Sequence, residues 1–177
     1  MDIIQIKDKQ FRLSIPSEDI LKAVENVGNQ INKDLADKDP LFICVLNGAF
    51  MFAADLMKVV NIPCEITFVK LSSYEGLYTT GTVKEVIGLN ESVVGRTVVV
   101  VEDIVDTGIT MEKILNSLEA KGAKEVHVTT FLQKPEALQK DIKLDYIAMK
   151  IPNEFILGYG LDYDGYGRNL KDIYTVI

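Results

Sequence analysis

The stretch VVVVEDIVDTGIT, Val98 to Thr110, limits what this chain can fold into more than any other. Four successive β-branched apolar residues without alternation describe a strand buried on both faces, as in a parallel sheet. From Thr110 to Leu118 the apolar residues fall at helical spacing instead. The three carboxylates between them, Glu102, Asp103 and Asp106, are thus predicted in a strand-to-helix loop at the carboxyl end of a central strand. In open α/β sheets that edge is where ligands bind.

The rest of the chain supplies partners for such a strand. Pro16-Ser17-Glu18-Asp19 reads as a helix start with Ser17 as cap, after one early strand. Ile20, Leu21, Val24, Val27, Ile31 and Leu35 mark one face of a long helix. Leu41 to Leu46 is a second fully buried strand; Asn47-Gly48 is a tight turn, and Phe50 to Val60 a helix. Strands come next at Cys64 to Leu71, Glu125 to Leu132 and Leu144 to Met149, with the polar segment Ser72 to Thr82 between strand-like pieces. Strands alternating with helices predict an α/β fold, a mostly parallel twisted sheet flanked by helices. With 177 residues, one domain is expected over 1–177. The aromatic, glycine-rich tail from Pro152 is too short for a second domain and reads as a small flap over the sheet edge.

Charge narrows the partners. A net charge of −7 leaves no basic surplus to replace the counterions of nucleic acid, so none is expected as a partner. No segment has the length of a membrane span or the layout of a secretion signal, so no membrane partner is expected either. Cys44 and Cys64 sit in apolar or strand-like settings and read as buried thiols of a reducing compartment, which makes a cytoplasmic protein the expectation. His127, mid-strand between valines, reads as structural. Tyr159, Tyr163 and Tyr166 could serve as stacking platforms for single strands, but the acidic context favours core or interface roles.

Asp-Thr-Gly-Ile-Thr at the start of a helix offers successive backbone N–H groups, two hydroxyls and a glycine free to adopt positive φ. That is a cradle for a monophosphate, and without Gly-Lys-Ser/Thr it is not a nucleoside-triphosphate loop. The bland alternative is that Asp106 or Thr107 merely caps the helix. The neighbouring carboxylates suit ribose hydroxyls and a hydrated Mg²⁺, so the pair of features describes a ribose 5-phosphate site.

The same thirteen residues resemble the phosphoribosyl-pyrophosphate (PRPP) motif of type I phosphoribosyltransferases: apolar strand, two acids, two apolar residues, Asp-Thr-Gly, any residue, Thr. LNGAFMFAADL (Leu46 to Leu56), LSSYEGLYTTGTVK (Leu71 to Lys84), LQKP, and IPNEFILGYGLDYDGYGRNL (Ile151 to Leu170) resemble segments of the hypoxanthine-guanine phosphoribosyltransferases. The likeness runs from Leu41 onward in that family's order. It implies a type I phosphoribosyltransferase fold with a hood from about 150–177 and the N-terminal segment. It also implies a purine-salvage enzyme that converts hypoxanthine or guanine and PRPP to IMP or GMP and pyrophosphate, with Mg²⁺, as a homodimer or homotetramer.

By resemblance, Glu102 and Asp103 hold the ribose hydroxyls directly or through Mg²⁺, and Asp106, Thr107, Gly108, Ile109 and Thr110 form the 5-phosphate loop. Asp106 is the catalytic residue, placed to take or share the purine N7 proton. Asn47, Gly48 and Arg168 meet pyrophosphate. Lys134 donates to the purine O6, Phe155 stacks on the ring, and the Ile156 backbone bonds its edge. Asp162, beside the purine, binds Mg²⁺ or its waters. Ser73 and Tyr74 sit on a mobile loop that closes over the reacting centre. Without the resemblance, Lys134 is a surface lysine before a proline, and Phe155 and Ile156 are ordinary core residues.

Two positions depart from the family pattern. Asn47 stands where a basic residue usually meets pyrophosphate, and Ile109 where many relatives are polar or basic; Ile109 is expected to point away from the ligand. Two rivals remain. One is a regulatory protein that senses PRPP or nucleotides and binds nucleic acid, which would need a basic surface; the other is a transferase preferring xanthine or a pyrimidine.

Overall fold

A strand that is apolar on both faces needs cover on both, and the helices supply it. The computed structural model describes residues 2–74 and 83–177, apart from the side chains of 72–74 and 83–87. In chain order the elements are β1 (Ile3–Ile6), β2 (Lys9–Ile15), α1 (Ser17–Asp34), β3 (Leu41–Leu46), α2 (Phe50–Val59) and β4 (Glu65–Tyr74). After them come β5 (Val83–Ile87), β6 (Thr97–Val105), α3 (Ile109–Ala120), β7 (Glu125–Gln133), β8 (Tyr146–Lys150), β9 (Ile156–Leu157) and β10 (Ile173–Val176).

The main sheet has the order β5-β4-β3-β6-β7-β8. Its five strands from β4 to β8 are parallel, and β5 pairs antiparallel with β4 at the edge. The valine run divides between the two faces. Val99 and Val101 join Phe42 and Cys44 under α1 and α2, while Val98 and Val100 join Leu41 and Ile43 under Met111, Ile114 and Leu118 of α3. All four valines are fully buried, each worth about 1.5–3 kcal/mol relative to exposure. Gly28 lets α1 approach α2, since a Cβ there would collide with Val59.

The predicted helix face of α1 holds except at Leu21, which is half exposed. Ser17 is not the cap of α1. Pro16 precedes the helix and makes no side-chain cap, and the Ser17 N–H instead donates to Asp172 Oδ1 at 2.6 Å. Of the two free thiols Cys44 is buried, and Cys64 is partly open. Among the described residues no helix is long and apolar enough to cross a membrane.

The single early strand expected from the sequence is a hairpin, β1–β2. It joins the C-terminal strands in a second antiparallel sheet, order β1-β2-β10-β9. This is the hood. Phe11, Leu157 and Tyr174 form its own small core.

Candidate active site

The parallel strands bring their carboxyl ends to one edge, and the predicted residues gather there. Glu102 and Asp103 are not in a loop, however. β6 runs on to Val105, because its ladder with β7 continues through Glu102↔Thr130, Ile104↔Leu132 and Val105↔Gln133. Backbone pairing does not stop where side chains turn polar. Glu102 is consequently buried, with Oε1 accepting from the Asp103 N–H at 3.0 Å.

Asp106, Thr107 and Gly108 form the turn into α3. Gly108 takes φ +85°, a left-handed conformation that favours glycine, and its carbonyl accepts the Glu112 N–H at 2.9 Å. The Ile109 N–H reaches the Thr107 hydroxyl at 3.4 Å. The bland capping alternative is thus met by Gly108 and Thr107 and not by the Asp106 side chain, which is half exposed. A cavity of about 90 Å³ opens against the helix N-terminus, lined by Glu102, Asp106, Thr107, Gly108 and Thr110 among others. The positive end of the α3 dipole and the loop amides suit an anion there. Ile109 is partly exposed.

Lys134 is not a surface lysine. It lies just past β7, its N–H donates to the Val105 carbonyl at 3.1 Å, and its side chain is only 11% exposed. The ammonium stands 3.8 Å from Asp106 Oδ2. A buried cation with one loose carboxylate partner is a poor structural bond but a good arrangement for reading an acceptor on a ligand.

The Leu46–Asn47 peptide is cis, and Asn47 and Gly48 form the turn from β3 into α2. The Asp103 carboxylate packs over Gly48, in the space a Cβ would occupy. Its Oδ1 accepts the Ile104 N–H at 2.6 Å. Burial pushes the Asp103 carboxyl above its ordinary range, opposed by hydrogen bonding with Glu102 and Ile104 and by the charge of Arg168. Burial, then the charges of Glu102 and Asp103, push the neighbouring Cys44 thiol up to about 12. Arg168 joins this cluster from the hood. Its Nη2 is 2.9 Å from Asp162 Oδ1, and its Nη1 donates to the Gly160 carbonyl at 2.8 Å. Asp162 Oδ2 also accepts the Gly165 N–H at 2.8 Å. Of the acids predicted as metal ligands, Asp162 is therefore paired with the guanidinium and Asp103 feels its charge. Among the described residues no three His, Cys, Asp or Glu side chains converge as a metal cage.

Phe155 is 46% exposed, unlike an ordinary core residue, and contacts Tyr163 edge-on at 5.8 Å and Phe11 at 6.3 Å. Ile156 starts β9, paired with Thr175. Ser73 and Tyr74, expected on a loop, continue β4 opposite Lys84 and Val83. Their side chains and residues 75–82 lie outside the described residues. Tyr159 has the core role favoured from the sequence, but Gly160 and Asp55, which with it tie the hood to α2, were missed. The tight Gly158-Tyr159-Gly160 spacing was the available signal, since both glycines take positive φ and press on backbone carbonyls.

Residues 16–164 match the family model described as phosphoribosyl transferase domain. The chain is 39% identical over 160 residues to a hypoxanthine-guanine phosphoribosyltransferase of Streptococcus thermophilus, covering 90% of this chain and 89% of the relative. It is 35% identical over 174 residues to one of Aquifex aeolicus, covering 97% and 98%. Among solved structures it superposes on a hypoxanthine phosphoribosyltransferase of Staphylococcus aureus with a TM-score of 0.86, at 34% identity, covering 94% of this chain and 91% of that one.

Proposed function

Since the chain belongs to the hypoxanthine-guanine phosphoribosyltransferase family, we propose that it transfers the 5-phosphoribosyl group of PRPP to hypoxanthine or guanine, releasing pyrophosphate. The observation that carries this reading is the Lys134–Asp106 pair, 3.8 Å apart at the ends of adjacent parallel strands beside the phosphate loop. One group can read a 6-oxopurine and the other can take its N7 proton, and they stand close enough to meet one base.

In this reading the 5-phosphate sits on the N–H groups and hydroxyls of Thr107, Gly108, Ile109 and Thr110, and Glu102 and Asp103 lie along the ribose. Their negative charge favours an oxocarbenium-like ribose as pyrophosphate leaves. Asn47, Gly48 and Arg168 receive the pyrophosphate. Phe155 offers an open ring face to the base, and Ile156 its backbone. An all-oxygen donor set at Glu102, Asp103 and Asp162 fits Mg²⁺, which keeps several waters and shares substrate phosphates. Bound there, the ion would neutralise charge on the leaving group.

The chain acts as one phosphoribosyltransferase domain, as a homodimer or homotetramer. Its two free thiols fit a reducing, cytoplasmic setting. Nucleotide formation from PRPP and Mg²⁺ with hypoxanthine, guanine and xanthine in turn tests the assignment. Hypoxanthine or guanine should give nucleotide, and failure of both with folded protein would overturn it.

A further inference from the structure

The hood carries Arg168 and Asp162, and the sheet carries the Asn47-Gly48 turn, so some contact must hold one in register with the other. Tyr159 makes it. The residue is 4% exposed, its ring lies 4.8 Å from Phe131 in the main core, and its hydroxyl donates to Asp55 Oδ2 on α2 at 2.6 Å. Burial first, and the bond to Asp55 second, push the phenol well above its ordinary range, so it remains a donor throughout the working pH. Asp55 itself is steadied by Lys58 at 3.0 Å.

The next residue in the chain, Gly160, gives the bond its consequence. The Gly160 N–H donates to the Arg168 carbonyl at 3.0 Å, and the Gly160 carbonyl accepts Arg168 Nη1 at 2.8 Å. Gly160 also rests on the Gly48 carbonyl so closely that a Cβ would collide with it. One residue thus touches the arginine twice and the turn once. Asp55 sits about one and a half helical turns beyond the start of α2 at Phe50, the helix that the Asn47-Gly48 turn feeds. The bond closes a ring of contacts from the turn, through α2 and the hood, back to the turn.

We propose that Tyr159 and Asp55 are positioning residues for the pyrophosphate end of the site, their hydrogen bond setting Gly160 and through it the guanidinium of Arg168 against the Asn47-Gly48 turn. The inference rests on the functional reading under Proposed function. Neither side chain touches the ligand; both act through Gly160.

Tyr159→Phe removes the hydroxyl and keeps the ring. It should raise the KM for PRPP and the inhibition constant of pyrophosphate about five- to tenfold, a fraction of the full worth of a hydrogen bond to a charged group because the effect is relayed. The kcat and the KM for hypoxanthine should stay within about twofold, since the base end is held by β7 and β9. Asp55→Ala should match it, and the double variant should be no worse than either single one, as for two ends of one bond. Asp55→Asn, whose amide oxygen still accepts, should return to within about twofold of wild type. If Tyr159→Phe does not fold, Asp55→Ala with its Asn counterpart decides by the same readouts. Lowered thermal stability with unchanged pyrophosphate inhibition would overturn the inference, as would strictly additive effects or a parallel rise in the KM for hypoxanthine. A wild type that forms no nucleotide would instead remove the functional reading itself.

Discussion

Strand β7 carries a charge cluster at each end, and the two differ in a way that separates site from scaffold. At its amino end His127 lies between Asp145 (3.3 Å) and Glu125 (3.6 Å). Glu125 also takes Lys38 at 3.0 Å and the Thr97 hydroxyl at 2.8 Å, and Asp145 takes Lys143 at 3.3 Å and the Val128 N–H at 2.8 Å. At its carboxyl end Lys134 and Asp106 stand 3.8 Å apart beside a helix N-terminus. The amino-end cluster borders the larger cavity, about 300 Å³ against about 90 Å³. Volume would choose the wrong end. Its carboxylates are matched to protein cations and donors, whereas the carboxyl end combines a loosely paired lysine with amides and a dipole that need an anion. In a parallel sheet only one edge collects helix N-termini from strand-to-helix turns, and ligands bind there.

Substitutions at the two ends test that division. Asp106→Asn should keep the fold and lower kcat by roughly 10²-fold or more, the scale of a positioned acid–base group. Single-turnover kinetics, which isolate the chemical step, would check it; an unaltered rate there would remove Asp106 from proton transfer. Lys134→Ala should weaken use of hypoxanthine and guanine by about 1.5–3 kcal/mol in kcat/KM, the scale of a charged hydrogen bond. Adenine, with no O6 acceptor, should not lose in parallel, and comparing the three bases gives the answer.

Asn47→Lys adds a charge to the turn that Asp103 and Arg168 border. Pyrophosphate should bind tighter by about 0.5–2 kcal/mol at low ionic strength, with part of the gain lost as salt rises. Inhibition constants at two ionic strengths would show this, and equal constants for both proteins at low salt would mean that Asn47 faces elsewhere. The smallest effect belongs to the scaffold end. The hydrogen bond from Lys38, then that from the Thr97 hydroxyl, holds the Glu125 carboxyl below its usual 4.5. A depressed folded value means the stabilisation is complete above the unfolded value and is lost as pH falls through the folded one. Glu125→Gln should therefore flatten the acid side of the stability curve and leave kcat/KM at neutral pH unchanged. Thermal midpoints across the acid range would reveal it, and an effect on turnover would break the division between the ends.

The candidate site was legible to different depths in its different parts. The phosphate turn could be read directly, because strand, glycine turn and helix start occupy thirteen consecutive residues with distinct periodicities. Lys134 could not, since a lysine before a proline looks exposed until the pairing of β7 with β6 sets it beside Asp106, with its side chain only 11% exposed. The boundary of β6 was misread for a related reason: polarity suggested a loop at Glu102, and the ladder to β7 overrode it.

The buried strands and helices of the main sheet and the acidic phosphate turn could be read from the sequence, because each is written in neighbouring residues. Tertiary structure alone decided the rest. It capped α1 with Asp172, 155 positions away, where a local Ser17 cap was expected. It split the early strand into a hairpin and paired β2 with β10 to make the hood. It brought Tyr159 to Asp55 and Arg168 to the neighbourhood of Asp103. Periodicity and turn chemistry report a residue's near neighbours in the chain. Bonds between distant segments depend on how whole elements pack, and local sequence does not encode that packing.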